Sequence, residues 1–214
     1  MIILGLGSNL SSSFGDRFEN IEIAISYLEK YEIKVTKKSS YYETPSYPNK
    51  NNPKFINIII EAKTHLNPAD LASVLIFIEE KLQRKRRKKN DPRTCDIDII
   101  DYKNQIINFK YNNLDFIVPH RKLIYRNFVL FPLQEILPAW KHPETNDNIS
   151  FLIERLSDED KKSILKISKS WYIKLMLKQK DLIKKVQNYN KFLNPETLSK
   201  AYTFALNAHR DQKR

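Results

Sequence analysis

Apolar positions recur along this chain with two different periods. Ile2–Leu6 is a short continuous apolar run ended by Gly7-Ser8-Asn9, which reads as a buried strand and its turn. Asp16 stands three residues before Glu19, the spacing of a capping box. Ile21, Ala24, Ile25 and Leu28 then follow at helical spacing. Val35–Tyr42 reads as a strand, and Thr44–Pro53, with three prolines, as a loop. Phe55–Ala62 is Ile-rich and strand-like. Asn67 and Pro68 open a second helix whose apolar face carries Leu71, Val74, Leu75, Ile78 and Leu82. After a basic loop over Arg84–Pro92, Cys95–Tyr102 alternates like a strand, and Lys103-Asn104 would turn it into a hairpin with Gln105–Phe109. A turn after Pro119 precedes a short helix around Phe128–Glu135. The order β-α-β-β-α-β predicts an α+β, ferredoxin-like sandwich with an antiparallel or mixed sheet. Further on, Ile164, Ile167, Trp171, Leu175, Leu182 and Val186 fit one helical face, and Asn194-Pro195-Glu196 reads as a second helix start.

Charge divides the chain. The 214 residues carry a formal net charge of +12, yet residues 161–214 hold 14 Lys and Arg against 3 Asp and Glu, leaving 23 against 22 in residues 1–160. A balanced body over 1–160 and a basic helical C-terminal extension over 161–214 are expected. Cys95 is the single cysteine, which excludes a disulfide scaffold and a zinc site built on cysteine pairs. No apolar run reaches the roughly 18 residues of a membrane span. The start, Met1 to Leu10, lacks the basic flank of a signal peptide, so a cytoplasmic protein is expected. Gly5-Leu6-Gly7 resembles the opening of a dinucleotide fingerprint, but Leu10 stands where the third glycine belongs, and no G-K-[ST] loop exists. A polyphosphate would have to be held by side chains.

The segment from Arg84 to Asp98 joins two charge types. Asp96 and Asp98 lie two apart on a strand, so their carboxylates project from one sheet face while Ile97 points to the other. Adjacent carboxylates repel, and a divalent cation removes that repulsion. Mg²⁺ takes a few carboxylate oxygens together with substrate phosphates. Arg93 and the basic loop would complement phosphate oxygens left free. Spacing alone also fits a solvated sheet face beside a solvated loop.

Pro92-Arg93-Thr94-Cys95-Asp96-Ile97-Asp98-Ile99 resembles the signature of the 6-hydroxymethyl-7,8-dihydropterin pyrophosphokinase family of folate biosynthesis. Gly5 to Leu10, Tyr42-Glu43-Thr44-Pro45, Phe55-Ile56-Asn57, Pro119-His120 and the run from Arg126 to Pro138 resemble further motifs of that family, in order, over about residues 1–157. The resemblance implies transfer of pyrophosphate from ATP to a hydroxymethyl dihydropterin, with ATP as co-substrate and two Mg²⁺ ions on Asp96 and Asp98. Arg84 and Arg93 would stabilise the transition state. Arg86, Arg93, His120 and Arg126 would hold phosphates, Glu79 would face the ribose, and Ile99 would line the nucleotide site. Phe55 and Phe128 would sandwich the pterin, with Asn57 reading its polar edge beside main-chain groups of Thr44 and Pro45. Small-molecule substrates are the implied partners. The chain departs from the family in having no Trp in the basic loop, where Lys88, Lys89 and Asn90 stand, and in having Gln83 where the family often has Gly.

Two other functions fit the composition. One is a nucleic-acid-binding module of ferredoxin-like topology, against which the nearly neutral body and the missing RNP1 pattern argue. The other is an enzyme body whose basic tail binds RNA or an acidic membrane surface. The C-terminal helices are also a candidate oligomer contact.

Overall fold

The apolar run at the start becomes β1 (Ile2–Ser8), the strand around which the sheet is assembled. Ile2, Ile3, Leu4 and Leu6 are all at most 1% exposed, so both faces of β1 are covered. Antiparallel partners flank it: β4 (Phe55–Lys63) on one side and β5 (Asp96–Tyr102) on the other. The computed structural model describes residues 1–86, 90–112, 114–120, 122–168, 182–184, 186 and 194–201.

α1 (Arg17–Lys30) begins with the expected capping box. The Asp16 carboxylate accepts from the backbone N–H groups of Phe18 and Glu19, and Glu19 accepts from the Asp16 N–H. Such caps contribute about 1 kcal/mol. α2 (Pro68–Lys81) is capped by Asn67, with Pro68 in its first turn. The region read as one strand over Val35–Tyr42 is two: β2 (Lys34–Lys38) and β3 (Tyr41–Thr44). The break falls at Ser39, whose hydroxyl accepts from the Ile59 N–H at 3.0 Å and so replaces a ladder carbonyl.

The sheet order is β5-β1-β4-β3, with β2 also beside β4. Counting β2 and β3 as one broken strand, this is the 4-1-3-2 order of a ferredoxin-like sheet, as the element order predicted. The hairpin was placed one strand too early. β5 and the following segment share only a Tyr102–Gln105 bridge. β6 (Ile107–Tyr111) pairs instead with β7 (Leu114–Val118), in a separate two-stranded ribbon.

α3 (Asn127–Ile136) lies on the face of the sheet that carries Ile3, Ile59 and Ile100. There Val129, Leu130 and Leu133 pack with Leu123 and Trp140 and with Ile149 and Leu152 of α4 (Ile149–Glu154). α5 (Asp158–Ser163) leads into β8 (Leu165–Ile167), which pairs antiparallel with β3 and occupies that sheet edge.

β8 corrects the helical reading of the extension. Ile164 ends α5 in extended backbone and Ile167 is a strand residue, so neither belongs to a helical stripe. The alternation Leu165-Lys166-Ile167 suits an edge strand, and pairing with β3 decides its form. Trp171 and Leu175 lie outside the described residues. Asn194 does cap a helix over 195–201, accepting from the Glu196 N–H at 2.8 Å. The chain forms two compact units, Met1–Ile167 and Ser168–Arg214, so the first unit extends past the charge boundary at residue 160, which falls inside α5. Among the described residues no helix is long and apolar enough to cross a membrane.

Candidate active site

The site grows from the register of three strands. Gly7 pairs with Asn57 on one side and Asp96 on the other, and Gly5 pairs with Asp98. Directly paired residues in antiparallel strands share a face, so Asn57, Gly7 and Asp96 stand in one row beneath the start of α3. Glycine is needed there. A Cβ on Gly7 would sit 3.0 Å from Asn57 Oδ1 and 3.5 Å from the Phe55 ring. Gly5, Gly7, Asn57, Asp96, Asp98 and Phe128 line a small recess on this face. A second cleft of about 170 Å³ lies against Glu79, Arg84, Arg86, Ile97, Ile99, β7 and His120, and Asp96 and Asp98 line it as well. The paired carboxylates therefore form the wall shared by a narrow slot and a larger cationic cleft.

Four arginines converge on three carboxylates. Arg84 Nη1 lies 2.5 Å from Asp96 Oδ1 and also contacts Glu79, which in turn binds Arg86. Arg93 Nε stands 3.2 Å from Asp96 Oδ2, and Arg126 Nη1 3.3 Å from Asp98 Oδ2. Burial alone would raise the Asp96 carboxyl, but the guanidinium groups of Arg84 and Arg93 outweigh it and hold it below the usual carboxylate range. Asp98 keeps 40% of its side chain exposed yet sits among dense protein. Desolvation and the neighbouring Asp96 charge push its carboxyl up. An anionic ligand entering this cluster meets more cationic than anionic groups, and a divalent cation would release the arginines from the carboxylates they now hold.

Glu79, which the resemblance sets facing a ribose, lines the cationic cleft with its carboxylate already held by arginines. It is 2% exposed, its oxygens contact Arg84 and Arg86, and one of them accepts from the Ile97 N–H at 2.7 Å. Burial pushes its carboxyl up to about 7, against the pull of Arg84. From the end of α2 it aims the two arginines.

His120 is held in a donor-rich corner. Its Nδ1 lies 3.0 Å from the Lys122 N–H and its Nε2 lies 3.3 Å from Arg126 Nη2. Burial and then Arg126 push the imidazole down to about 4, so it is neutral near pH 7. A neutral ring accepts at only one nitrogen. Two donors facing it leave one mismatched, and an anionic oxygen placed between Nε2 and the guanidinium would accept from both.

On the slot side, Asn57 Nδ2 donates to Thr44 Oγ1 at 3.0 Å, inside the sheet. Phe55 and Phe128 each carry a guanidinium over the ring face, Arg93 at 5.2 Å and Arg126 at 5.5 Å from the ring centres. Each ring is thus tied, through an arginine that also meets Asp96 or Asp98, to the carboxylate pair. Pro45 follows β3 directly. Cys95 is fully buried, and burial pushes its thiol well up, which suits an inert core position.

Asn9 was read only as part of a turn. It is 2% exposed and joins three segments. Its amide donates to Ser46 Oγ and the Pro53 carbonyl, and its Oδ1 accepts from the Arg93 N–H at 2.6 Å. An Asn after Gly-x-Gly-Ser, too short for a phosphate loop, was the signal available. Gln83 adopts the left-handed region at φ 66°, the backbone that favours glycine, and its side chain accepts from the Ser13 N–H.

Among the described residues no three His, Cys, Asp or Glu side chains gather into an all-protein metal cage. Two carboxylates at the mouth of a cationic cleft suit instead a Mg²⁺ ion that draws its remaining ligands from phosphate and water.

The sequence model of 7,8-dihydro-6-hydroxymethylpterin-pyrophosphokinase (HPPK) matches residues 3–138. The chain belongs to this family. It is 39% identical over 142 residues to the 2-amino-4-hydroxy-6-hydroxymethyldihydropteridine pyrophosphokinase of Aquifex aeolicus, covering 66% of this chain and 83% of that one. It is 37% identical over 134 residues to the protein of the same name from Bacillus subtilis, covering 62% and 75%. Its fold matches the crystal structure of wild-type Plasmodium falciparum HPPK-DHPS with a TM-score of 0.58 at 18% identity, over 72% of this chain and 44% of that chain. Family membership leaves the nucleic-acid module without support.

Proposed function

We propose that the protein transfers the pyrophosphoryl group of ATP to the hydroxymethyl group of 6-hydroxymethyl-7,8-dihydropterin and releases AMP. One observation carries this reading: Asp96 and Asp98 stand on the wall between a slot lined by Asn57 and Phe128 and a cleft lined by arginines. A reaction joining a flat heterocycle to a polyphosphate needs its two substrates on opposite sides of such a pair.

The pterin lies in the slot. Phe55 and Phe128 cover its faces, Asn57 meets its polar edge, and main-chain groups at Thr44 and Pro45 close the same side. ATP lies in the cleft, with Ile99 and β7 against its nucleoside end and Arg86, His120 and Arg126 on its phosphates. Arg84 and Arg93 meet the charge that develops on the transferring group, in a site where preformed cations need no reorganisation. Glu79 and Asn9 act at one remove, fixing the arginines and the Arg93 backbone. Asp96 and Asp98 would hold Mg²⁺, which supplies neutralisation of phosphate charge. The residues after Ile167 are an appendage to this chemistry.

The test is turnover of Mg²⁺-ATP with the dihydropterin, followed by nucleotide chromatography. AMP should form one-for-one with pterin consumed, and neither Asp96→Ala nor Asp98→Ala should form it at saturating Mg²⁺. ADP as the product would overturn the reaction assignment. Near-normal turnover by either variant would overturn the metal assignment.

A further inference from the structure

The family match stops at residue 138, yet the chain continues in ordered structure to the edge of the sheet. α5 and β8 touch the slot's supports from two directions. Asn127, the first residue of α3 and the neighbour of Phe128, is 7% exposed. Its Nδ2 donates to the Asp160 carbonyl at 2.6 Å and to Ser163 Oγ at 2.9 Å, both on α5. On the sheet side, β8 pairs with β3 in the register Tyr42 to Lys166, and Tyr42 pairs in turn with Asn57. One row therefore crosses five strands: Lys166, Tyr42, Asn57, Gly7, Asp96.

A clamp ties that row to α3. Glu135 accepts from the Tyr42 hydroxyl at 2.7 Å and from Ser40 Oγ at 2.8 Å, and Lys166 Nζ lies 3.2 Å from the same carboxylate. Both walls of the slot, the β3–β4 edge with Thr44 and Asn57 and the α3 start with Phe128, are thus fastened to one short segment. A further pair, Lys50 with Glu159 at 2.5 Å, reaches the 44–53 loop, but both ends are exposed and such pairs contribute little.

We infer that Asp158–Ile167 is a brace for the pterin slot, with Asn127, Glu135 and Lys166 as positioning residues that set the spacing of Phe128 from Asn57. This rests on the pterin lying in that slot. A segment that only covered the edge of β3 would stabilise the fold without favouring one substrate. A brace acts on the pterin more than on ATP, because Arg84, Arg86 and Arg93 follow α2 or precede β5, and of the phosphate-facing side chains only Arg126 adjoins α3.

The experiment uses the full-length chain and the variants Asn127→Ala, Ser163→Ala, Lys166→Met, Lys166→Arg and Phe128→Ala. Pterin affinity is titrated in the presence of a non-hydrolysable ATP analogue, that analogue is titrated alone, and melting is followed for each variant. Asn127→Ala should weaken pterin binding about tenfold, the scale of a lost buried hydrogen bond and a misplaced contact, with analogue binding within about twofold of wild type. Ser163→Ala and Lys166→Met should show smaller losses of the same kind, and Lys166→Arg should restore binding. Ser163 is on a short exposed helix, so its variant keeps the question answerable if Asn127→Ala fails to fold. Unchanged pterin affinity in the folded variants, with Phe128→Ala still impaired, would overturn the brace alone. Unchanged affinity in Phe128→Ala as well would overturn the slot assignment and the brace with it.

Discussion

At the scale of single residues, the site depends on charges that are already paired. Asp96 is held ionised by Arg84 and Arg93, and Asp98 is raised by burial and by Asp96. The arginines are therefore poised between two sets of partners, their own carboxylates and an incoming polyphosphate. Arg84→Ala and Arg93→Ala should slow the chemical step on the order of 10³-fold while weakening ATP binding much less, as expected for groups that meet transition-state charge. Single-turnover kinetics separates the two effects, and an unchanged chemical step would return both residues to a purely structural part. His120 offers a second check. Its neutral form is favoured by burial and by Arg126, so its folded value of about 4 lies below the ordinary 6.5. As pH falls through that window the unfolded chain takes up a proton that the folded chain resists, so His120 contributes stability above pH 6.5 and loses it on acidification. NMR titration of the ligand-free protein should place His120 near 4. Gly7→Ala tests the close approach of the strands. The added Cβ at 3.0 Å from Asn57 Oδ1 should displace the amide and weaken pterin binding about tenfold while the fold persists, as one misplaced contact would.

At the scale of elements, the sequence is most legible where a segment's own period and caps agree with its neighbours. β1, α1, β4, α2 and β5 have such agreement, and the carboxylate pair is visible because β5 alternates from Asp96 to Ile99. The row from Asn57 through Gly7 to Asp96 is not legible, since register between distant strands leaves no local mark. β8 shows the opposite failure. Ile164 and Ile167 are three apart and match a helix, but pairing with the β3 edge outweighs that weak periodicity. β7 was missed although Asn112-Asn113 and Pro119 bracket it, because five residues, Leu114–Val118, with one exposed acid among them, carry too short a pattern to separate a strand from a loop. The surroundings of Glu79 are illegible for a related reason. A carboxylate at a helix end looks available in sequence, and only the fold reveals that Arg84 and Arg86 already occupy it.

At the scale of the whole molecule, the first compact unit ends at Ile167, and every residue placed in the site lies before position 129. Deleting residues after Ile167 should leave pterin turnover within about a few-fold of the full chain, because the brace and both substrate sites remain. Deleting from Asp158 onward should lower pterin affinity and the melting temperature together, since β3 would regain an open edge. The most direct measurement of the central claim is phosphorus-31 NMR of the reaction mixture with ATP, Mg²⁺ and the hydroxymethyl dihydropterin. If Asp96 and Asp98 stand between the two substrates as argued, the β and γ signals of ATP should disappear together. They should reappear as one diphosphate ester on the pterin as AMP grows in, and the Asp96→Ala protein should leave the ATP signals unchanged. Movement of the γ phosphorus alone, with ADP left behind, or equal turnover by the variant, would contradict it.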